Sequence, residues 1–474
     1  MRPGEVIQPP RSVARTGAVL AGIAALAGAL WIPSEGLAVS LDGFWWIALG
    51  SIVTIALLVL RTGLWTATGA YAAVFWCFHF GLIAVLASGL VQPGEISLWD
   101  QLWVLGPFAG DAAFLALIGF TAFAAAAVLV ADRGQGTTGH ASGPGPAPPA
   151  HPHGTAGSVL VLGAIVLWSG IVVAASGLAG FFGSYGEYLQ AVGEFSGPMS
   201  VVWPALGCGI VLSVTGARGW LRTSAIVGFG LLALVALPLG LRGEILFPSV
   251  AMLVAAARCG RVLSPARTCA VVAALLVVIP AVREIRNTGL QGLPDMVLEL
   301  RFFDAFAEMG GSLHPVEKVV RWHAEGEPFE MGASYWAPIE RAAARLLPGL
   351  RSTAAEDDMR IMNVLVLERI GAIGFSPVAE AYRNFGALGV VLVMGLLGAG
   401  LAGMDRTADP RLAALAIATL YVPLLVNVRN SFVSVPLQCL LGVLFVFGLG
   451  VIRHVSASVI CRPYARPPYV RSGV

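Results

Sequence analysis

Twelve apolar runs, separated by polar segments, constrain this chain more than any other feature of its sequence. Hydrophobic residues make up 57% of the 474 positions and charged residues only 12%. This composition is typical of a polytopic membrane protein and excludes an ordinary soluble globule. We therefore predict an all-α membrane protein of about twelve transmembrane helices. The runs cover residues 16–32, 44–60, 65–90, 112–131, 158–182, 199–214, 224–240, 245–257, 268–282, 385–403, 412–426 and 435–451.

The positions of the arginines predict how these helices are oriented. If the N-terminus is cytoplasmic, most arginines fall in cytoplasmic loops or in the C-terminal tail, as the positive-inside rule requires. We therefore expect both termini in the cytoplasm and an uncleaved first helix. Arg242 and Arg429 break the rule because they lie in outer loops, and such exceptions are where function is worth seeking. The arginines assigned to the cytoplasm are Arg61, Arg133, Arg218, Arg222, Arg258, Arg261, Arg267, Arg406, Arg411, Arg453, Arg462, Arg466 and Arg471.

The polar segments divide the chain into six parts. A Gly/Pro/His-rich segment with His140, His151 and His153 predicts a flexible cytoplasmic linker, with a metal site as the alternative. A long segment before residue 376 is too long for a connector, and we expect short helices near residues 294–309, 315–324, 337–347 and 359–370. The parts are a four-helix front (1–133), the linker (134–157), helices five to nine (158–282), a large extracytoplasmic loop (283–376), helices ten to twelve (377–453) and a cytoplasmic tail (454–474).

The stretch at residues 374–386 closes this loop and opens a hydrophobic run. Ser376 followed by Pro377 is a good N-cap and first-turn pair for a helix. From that start, a carboxylate, a guanidinium and an amide share one helix face at a membrane boundary. The alternative is an interfacial anchor in which the carboxylate only pairs with the guanidinium. These residues are Glu380, Arg383 and Asn384, with Tyr382 beside them.

Two hairpins are too short to carry both arms across a bilayer. Residues 224–257 provide 34 residues for two passes, so each arm reaches only about 25 Å of the roughly 30 Å core. The turn with Arg242 and Glu244 should therefore lie below the outer surface, and a similar count applies to Arg429 and Asn430. Charges at that depth indicate a functional site, unless they form an internal ion pair that only pins the helices.

Arg283 and Arg286 lie three residues apart where the ninth run ends, and they join these groups at the predicted outer face. Clustered guanidiniums favour phosphate because their forked donors match its oxygens. A lipid that carries a diphosphate is therefore the expected ligand.

Other classes of site and partner find no support in the sequence. The six cysteines form no CxxC motif, and the chain contains no Asp-x-Asp metal motif, so we expect neither a metal nor another cofactor. A net charge of +2 without a polybasic block argues against nucleic acid as a partner. His79 is expected to be a packed core histidine.

Three motifs carry a resemblance to a known family. They are Leu-Arg-Gly-Glu at residues 241–244, Gly-Ala-Ser-Tyr-Trp-Ala-Pro at residues 332–338, and the stretch 374–386 with its core Ala-Glu-Ala-Tyr-Arg-Asn-Phe-Gly. In this order they resemble the bacterial O-antigen polymerases (Wzy-type), also described as oligosaccharide repeat unit polymerases. The resemblance covers roughly residues 158–453.

The resemblance implies a metal-independent glycosyltransferase of the GT-C type that acts on the outer face of the bacterial cell membrane. It would transfer a growing glycan from undecaprenyl diphosphate to the next lipid-linked repeat unit. The implied partners are that substrate, the lipid bilayer, a flippase and a chain-length regulator. On this hypothesis Arg242, Arg283 and Arg286 bind the diphosphate, and Glu380 or Glu244 deprotonates the acceptor. Glycan or phosphate is positioned by Tyr382, Arg383, Asn384, Arg429 and Asn430, and His314 is an alternative base.

Three alternatives to a polymerase stay open at this point. An O-antigen ligase would use the same donor with a different acceptor. A lipid-linked sugar flippase or secondary transporter is a second alternative, although we find no internal repeat of the kind that transporters show. A scaffold for polysaccharide assembly is the third, and it would leave the recessed arginines without a ligand.

Overall fold

All regular secondary structure in the described part of the chain is helical, which confirms the predicted all-α class. The apolar composition of the helices explains this outcome, because a helix satisfies its own backbone hydrogen bonds within a bilayer. The computed structural model describes residues 11–31, 41–91, 95, 101–132, 152–288, 303–347, 354, 357–371 and 373–460.

The helices are numbered in chain order. The N-terminal part contains α1 (Arg11–Trp31), α2 (Leu41–Thr62), α3 (Ala67–Ala87) and α4 (Ala109–Asp132). The middle part contains α5 (Pro152–Ser176), α6 (Tyr185–Val192), α7 (Ser196–Gly216), α8 (Gly219–Ala236), α9 (Arg242–Arg258) and α10 (Pro265–Thr288). The long polar segment contains α11 (Asp304–Met309), α12 (His314–Ala324), α13 (Ala333–Leu346) and α14 (Met362–Arg369). The C-terminal part contains α15 (Pro377–Asp405), α16 (Pro410–Ala416), α17 (Val422–Asn427) and α18 (Val435–Ile460), with a π-helical turn, Ile417–Tyr421, between α16 and α17.

Each of the twelve apolar runs overlaps a helix, and the chain is a polytopic membrane protein. Among the described residues, ten helices are long and apolar enough to cross a membrane. Helix α9 has 17 residues, and near the C-terminus the apolar stretch Phe432–Gly448 is also shorter than a full span. The number of twelve spans, and the side on which each loop lies, stay predictions.

The predicted boundaries differ from the observed ones at three places, one of which is the end of α10 at Thr288, within the predicted loop. Helix α5 begins at Pro152, within the predicted linker, because proline is favoured in the first turn of a helix. Helix α18 continues to Ile460, within the predicted tail. The rest of the linker and of the tail lies outside the described residues.

The packing is centred on α4 and α15, which run against each other along much of their length. Small residues permit this approach: a Cβ at Gly398 would lie 2.2 Å from the carbonyl oxygen of Phe123. Helix α3 and the short helix α12 join the same core, and α5, α7 and α8 form a second one around Trp168 and Ile210.

The long polar segment folds back onto the membrane helices. The four short helices predicted there correspond to α11, α12, α13 and α14, although residues 294–302 of the first lie outside the described residues. Helix α12 buries Val316, Val319 and Trp322 against the core that α4 and α15 form. The segment is therefore a packed part of the protein.

Helix α15 begins as the sequence predicts and is interrupted once. Ser376 is its N-cap, and its Oγ accepts a hydrogen bond from the N–H of Val378 at 3.1 Å. At Gly386 the backbone adopts φ 68° and ψ −163°, a region that only glycine occupies readily. Near this break, the carbonyl oxygens of Arg383 and Asn384 accept hydrogen bonds from backbone N–H groups of the long polar segment.

Gly386→Ala should lower the free energy of unfolding by about 1–3 kcal/mol, because residues with a Cβ avoid this conformation. The added Cβ would also lie 3.2 Å from Cζ of Phe329. Thermal unfolding of the detergent-solubilised protein measures the effect. Gly400→Ala is the matched control in the same helix, where a Cβ meets no atom within 4 Å. Equal melting temperatures for the two variants would contradict the role of Gly386.

Candidate functional site

Glu380 joins three separate parts of the chain in the interior of the protein. Its side chain is buried, with 1% of the residue exposed. Oε1 accepts a hydrogen bond from Ser334 Oγ at 2.9 Å, and Oε2 accepts one from the backbone N–H of Phe432 at 2.6 Å. Both carboxylate oxygens are therefore engaged by the protein itself, and Glu380 is not paired with Arg383.

Asn384 strengthens the same junction one helical turn later. Its side-chain amide donates to Ser334 Oγ at 2.6 Å and to the carbonyl oxygen of Glu380 at 2.8 Å. Its Oδ1 accepts from the N–H of Gly332 at 2.9 Å. The donors and the acceptor of this amide thus all bind other parts of the protein.

Arg383 and Tyr382 hold the segment that precedes α13. Arg383 Nε donates to Glu330 at 3.0 Å, and Arg383 Nη1 donates to Glu327 at 2.6 Å. The guanidinium also lies over the Trp322 ring, 5.6 Å from its centroid. The Tyr382 ring meets the rings of His323 and Phe329 edge-on. We call Glu380, Tyr382, Arg383 and Asn384 the α15 clamp.

A polar cavity of about 370 Å³ lies where α6, α9 and α10 approach the segments around α14 and after α17. We call it the arginine cavity. Its lining includes three of the predicted arginines, one carboxylate and two amides. The polar residues that line it are Tyr185, Arg242, Glu244, Arg286, Asn363, Arg429 and Asn430.

Local structure explains how these side chains reach the cavity. Arg242 and Glu244 are in the first turn of α9, which starts two residues after Gly240. Gly240 has a φ of 83°, and a Cβ there would lie 2.9 Å from Cγ of Arg286. The turn is therefore tight enough to bring Arg286, near the end of α10, beside the start of α9. The Arg286 guanidinium lies 4.2 Å above the Tyr185 ring.

The arginines of the cavity are only partly compensated by carboxylates. Arg242 is buried and its Nη1 pairs with Glu308, but its Nε and Nη2 are buried without a partner among the described residues. The Glu244 carboxylate accepts a hydrogen bond from its own backbone N–H and lies close enough to Arg429 for the two charges to interact. Such an arrangement has unused guanidinium donors, which an anion with several oxygens would satisfy.

The cavity is electrostatically unfavourable for a further positive charge. Part of Arg429 is accessible from the cavity, yet protein surrounds it on the other sides. Burial, followed by the charge of Arg242, lowers the pKa of the Arg429 guanidinium. A negative charge in the cavity would offset the repulsion from Arg242 and favour the charged guanidinium.

The predicted site residues thus fall into two groups. Arg242, Glu244, Arg286, Arg429 and Asn430 line the arginine cavity, whereas the α15 clamp is used for internal contacts. The side chain of Arg283, in α10, lies outside the described residues.

A short segment after α17 connects the two groups. The carbonyl oxygen of Arg429 accepts from the N–H of Phe375 at 2.9 Å, and Phe432 three residues later donates to Glu380. Ser431 donates to Asn363 Oδ1 at 2.8 Å, which ties α14 to the same segment. The α15 clamp therefore fixes the backbone that presents Arg429 to the cavity.

Three residues at or near the cavity are not predicted from the sequence as site residues. Tyr185 was missed because α6 is a short helix between apolar runs, and Asn363 because nothing in its local sequence marks it. Glu308 lies within a predicted helix, but only the tertiary structure pairs it with Arg242.

Two histidines considered in the sequence analysis are packed against other side chains. His314, the alternative base, stacks on Trp103 with 5.2 Å between ring centroids and does not line the arginine cavity. Burial, aided by nearby Lys318 and Arg321, lowers the pKa of His314 to about 4. His79 is fully buried and hydrogen-bonded to Ser376 Oγ at 2.7 Å, which confirms the predicted core histidine.

Comparison with known proteins identifies relatives of this chain. A family model described as O-antigen polysaccharide polymerase Wzy matches residues 172–458, a region that contains the arginine cavity and the α15 clamp. Protein CapE of Staphylococcus aureus is 29% identical over 171 residues, which represent 36% of this chain and 37% of that protein. The alignment therefore spans little more than a third of the relative's length. No solved structure matches the chain.

Glu327→Gln should remove an acid-sensitive part of the protein's stability. Burial alone would raise the pKa of the Glu327 carboxyl, but hydrogen bonds from Arg369 and Arg383 outweigh burial and lower that pKa. A carboxyl with a lower pKa in the folded state stabilises the fold above its unfolded pKa of about 4.3, and this contribution disappears as pH falls through the folded pKa. The melting temperature should therefore fall less between neutral and acidic pH in the variant than in the wild type.

Glu325→Gln is the matched control, because Glu325 is exposed and only two residues away. It should keep the pH dependence of the wild type. If the melting temperature of Glu327→Gln also keeps the wild-type pH dependence, the ion pair of Glu327 with Arg383 does not stabilise the clamp.

Proposed function

The chain belongs to the O-antigen polysaccharide polymerase Wzy family, and on that premise we propose that it polymerises undecaprenyl-diphosphate-linked oligosaccharide repeat units at the outer face of the cytoplasmic membrane. The family model covers the region that the three sequence motifs indicated, so the resemblance seen in the sequence is confirmed. The observation that carries the proposal is the arginine cavity, which is lined by three arginines and one carboxylate and in which Arg242 has two buried donors without a partner among the described residues.

The arginines supply what a diphosphate leaving group requires. When the bond between the anomeric carbon and the diphosphate breaks, negative charge develops on the phosphate oxygens. Arg242, Arg286 and Arg429 are positioned to receive that charge in a site with few competing anions, where preorganised donors are most effective. The proposed step needs no metal ion, so we expect the protein to stay active in the presence of a chelator.

Glu244 is a better candidate than Glu380 for the general base. A base must reach the acceptor hydroxyl, and Glu244 lines the cavity, where its carboxylate accepts from its own backbone N–H and lies near the charge of Arg429. Both oxygens of Glu380 are already hydrogen-bonded away from the cavity. In the proposed step the acceptor oxygen bonds to the anomeric carbon, its proton passes to Glu244, and the diphosphate leaves.

The remaining polar residues of the cavity and the α15 clamp act by positioning. Asn363 and Asn430 place amide groups in the lining, where they would bind sugar hydroxyls or phosphate oxygens. The α15 clamp keeps Arg429 in place through the segment that ends at Phe432. A flippase that delivers the substrate and a regulator of chain length are expected partners on this proposal.

Arg242→Ala should reduce polymer formation about a hundred-fold or more, because it removes a donor to the developing diphosphate charge. The measurement uses purified protein in nanodiscs, undecaprenyl-diphosphate-linked repeat units from the source organism, and a glycan ladder as the product. Addition of EDTA should leave the wild-type ladder unchanged. Arg411→Ala, at the start of α16 and outside the arginine cavity, is the control and should retain activity.

Two results would contradict the proposed polymerase function and favour one of the alternatives. Transfer of a finished glycan to a different acceptor, without a ladder, would favour a ligase. Movement of the intact substrate across a proteoliposome membrane, again without a ladder, would favour a flippase.

Glu244→Gln and Glu380→Gln should separate the base from a positioning residue. We expect Glu244→Gln to lower kcat by about 10²–10⁴-fold with an unchanged melting temperature, because only proton transfer is lost. Glu380→Gln should lower the melting temperature, because a buried amide replaces an acceptor of two hydrogen bonds. The pH profile of kcat should lose its acidic limb only in Glu244→Gln. The opposite pattern would assign the base to Glu380.

A further inference from the structure

We propose that the hydrocarbon tail of the lipid-linked substrate leaves the arginine cavity through an apolar crevice between α8, α9 and α10. This inference rests on the proposed function, because it places the tail of the same substrate. The crevice has Arg242 at its inner end, and its other lining residues are apolar. They are Leu237, Leu246, Val278, Ile279 and Val282.

The crevice is connected to the arginine cavity through shared walls. A small space between α9, α10 and α11 is lined by Arg242, Gly243, Phe247 and Arg429, which also line the arginine cavity. The same space is lined by Leu246 and Ile279, which also line the crevice. The lining thus changes from polar to apolar across the side chain of Arg242.

The outer wall of the crevice belongs to α10, which is long and apolar enough to cross a membrane. Helix α10 contacts α6 and α11, and four of its valines, Val271, Val272, Val277 and Val278, are exposed. Val278 is both a lining residue of the crevice and 38% exposed, so the crevice opens on the surface that a bilayer covers. The crevice itself encloses only about 10 Å³, so a hydrocarbon chain would lie mainly along its open, exposed side.

Arg242 lies where the polar lining of the arginine cavity meets the apolar lining of the crevice. Only 7% of the residue is exposed, and two guanidinium nitrogens have no partner among the described residues. Its aliphatic stem can pack on an apolar chain while its guanidinium binds an anion. The ligand that fits is amphipathic, with a multiply charged anionic head and a long hydrocarbon tail.

A second apolar cavity, of about 340 Å³ between α1, α2 and α4, lacks this combination. Its one charged lining residue, Arg61, is paired with Asp132. This cavity offers space for a hydrocarbon chain but no unused donor for a phosphate, so the crevice beside Arg242 is the better route.

The test compares a long and a short prenyl diphosphate. Val278→Trp should weaken the binding of undecaprenyl diphosphate about ten-fold, because the indole fills the mouth of the crevice and displaces apolar contacts of the chain. Binding of geranyl diphosphate should be unchanged, since its short tail ends near the head group. Val272→Trp is the matched control, as it lies on the same helix, is exposed and does not line the crevice; it should change neither affinity.

Ile279→Trp is a second variant with the same expected result, and melting temperatures show that each variant is folded. If Arg242→Ala weakens both diphosphates but neither tryptophan variant alters the preference for the long chain, the tail route is wrong while the head site stands. If Arg242→Ala weakens neither diphosphate, the proposed function fails at the head site. Equal competition by phosphatidylglycerol would indicate a general site for anionic lipids and would overturn the inference.

Discussion

The architecture of the matched region depends on the hydrogen bonds of one buried carboxylate, Glu380. Burying a carboxyl group costs free energy unless its oxygens accept hydrogen bonds. The Glu380 oxygens accept them from Ser334 and Phe432. These two donors come from the long polar segment and from the turn after α17. The need to satisfy these two buried oxygens therefore holds three distant parts of the chain together.

The break at Gly386 completes this junction on the backbone side. A regular helix would use the carbonyl oxygens of Arg383 and Asn384 internally, and the break leaves them for Glu330 and Met331. The polar segment therefore joins α15 through side-chain and backbone bonds together. Such double attachment is suited to holding a rigid wall beside the proposed glycan-binding site.

In the arginine cavity, by contrast, two buried guanidinium donors of Arg242 have no partner among the described residues. Guanidiniums held close together repel each other, and Glu308 compensates only part of the charge of Arg242. The protein maintains this arrangement through rigid neighbours, chiefly the tight turn at Gly240 and the Tyr185 ring under Arg286. A diphosphate would relieve the repulsion, and the adjoining apolar crevice would accept the tail that accompanies it.

The sequence by itself determined the membrane class, the helix starts such as Ser376 and Pro377, the short helices of the polar segment and the arginines of the cavity. These features depend on composition, local capping and the cost of charge within a bilayer, all of which act over short stretches of chain. Only the tertiary structure decided that Glu380, Arg383 and Asn384 serve the clamp, because helical periodicity shows which residues share a face but not what lies opposite. The same reason applies to Tyr185, Asn363 and Glu308, whose roles arise from partners that are distant in sequence.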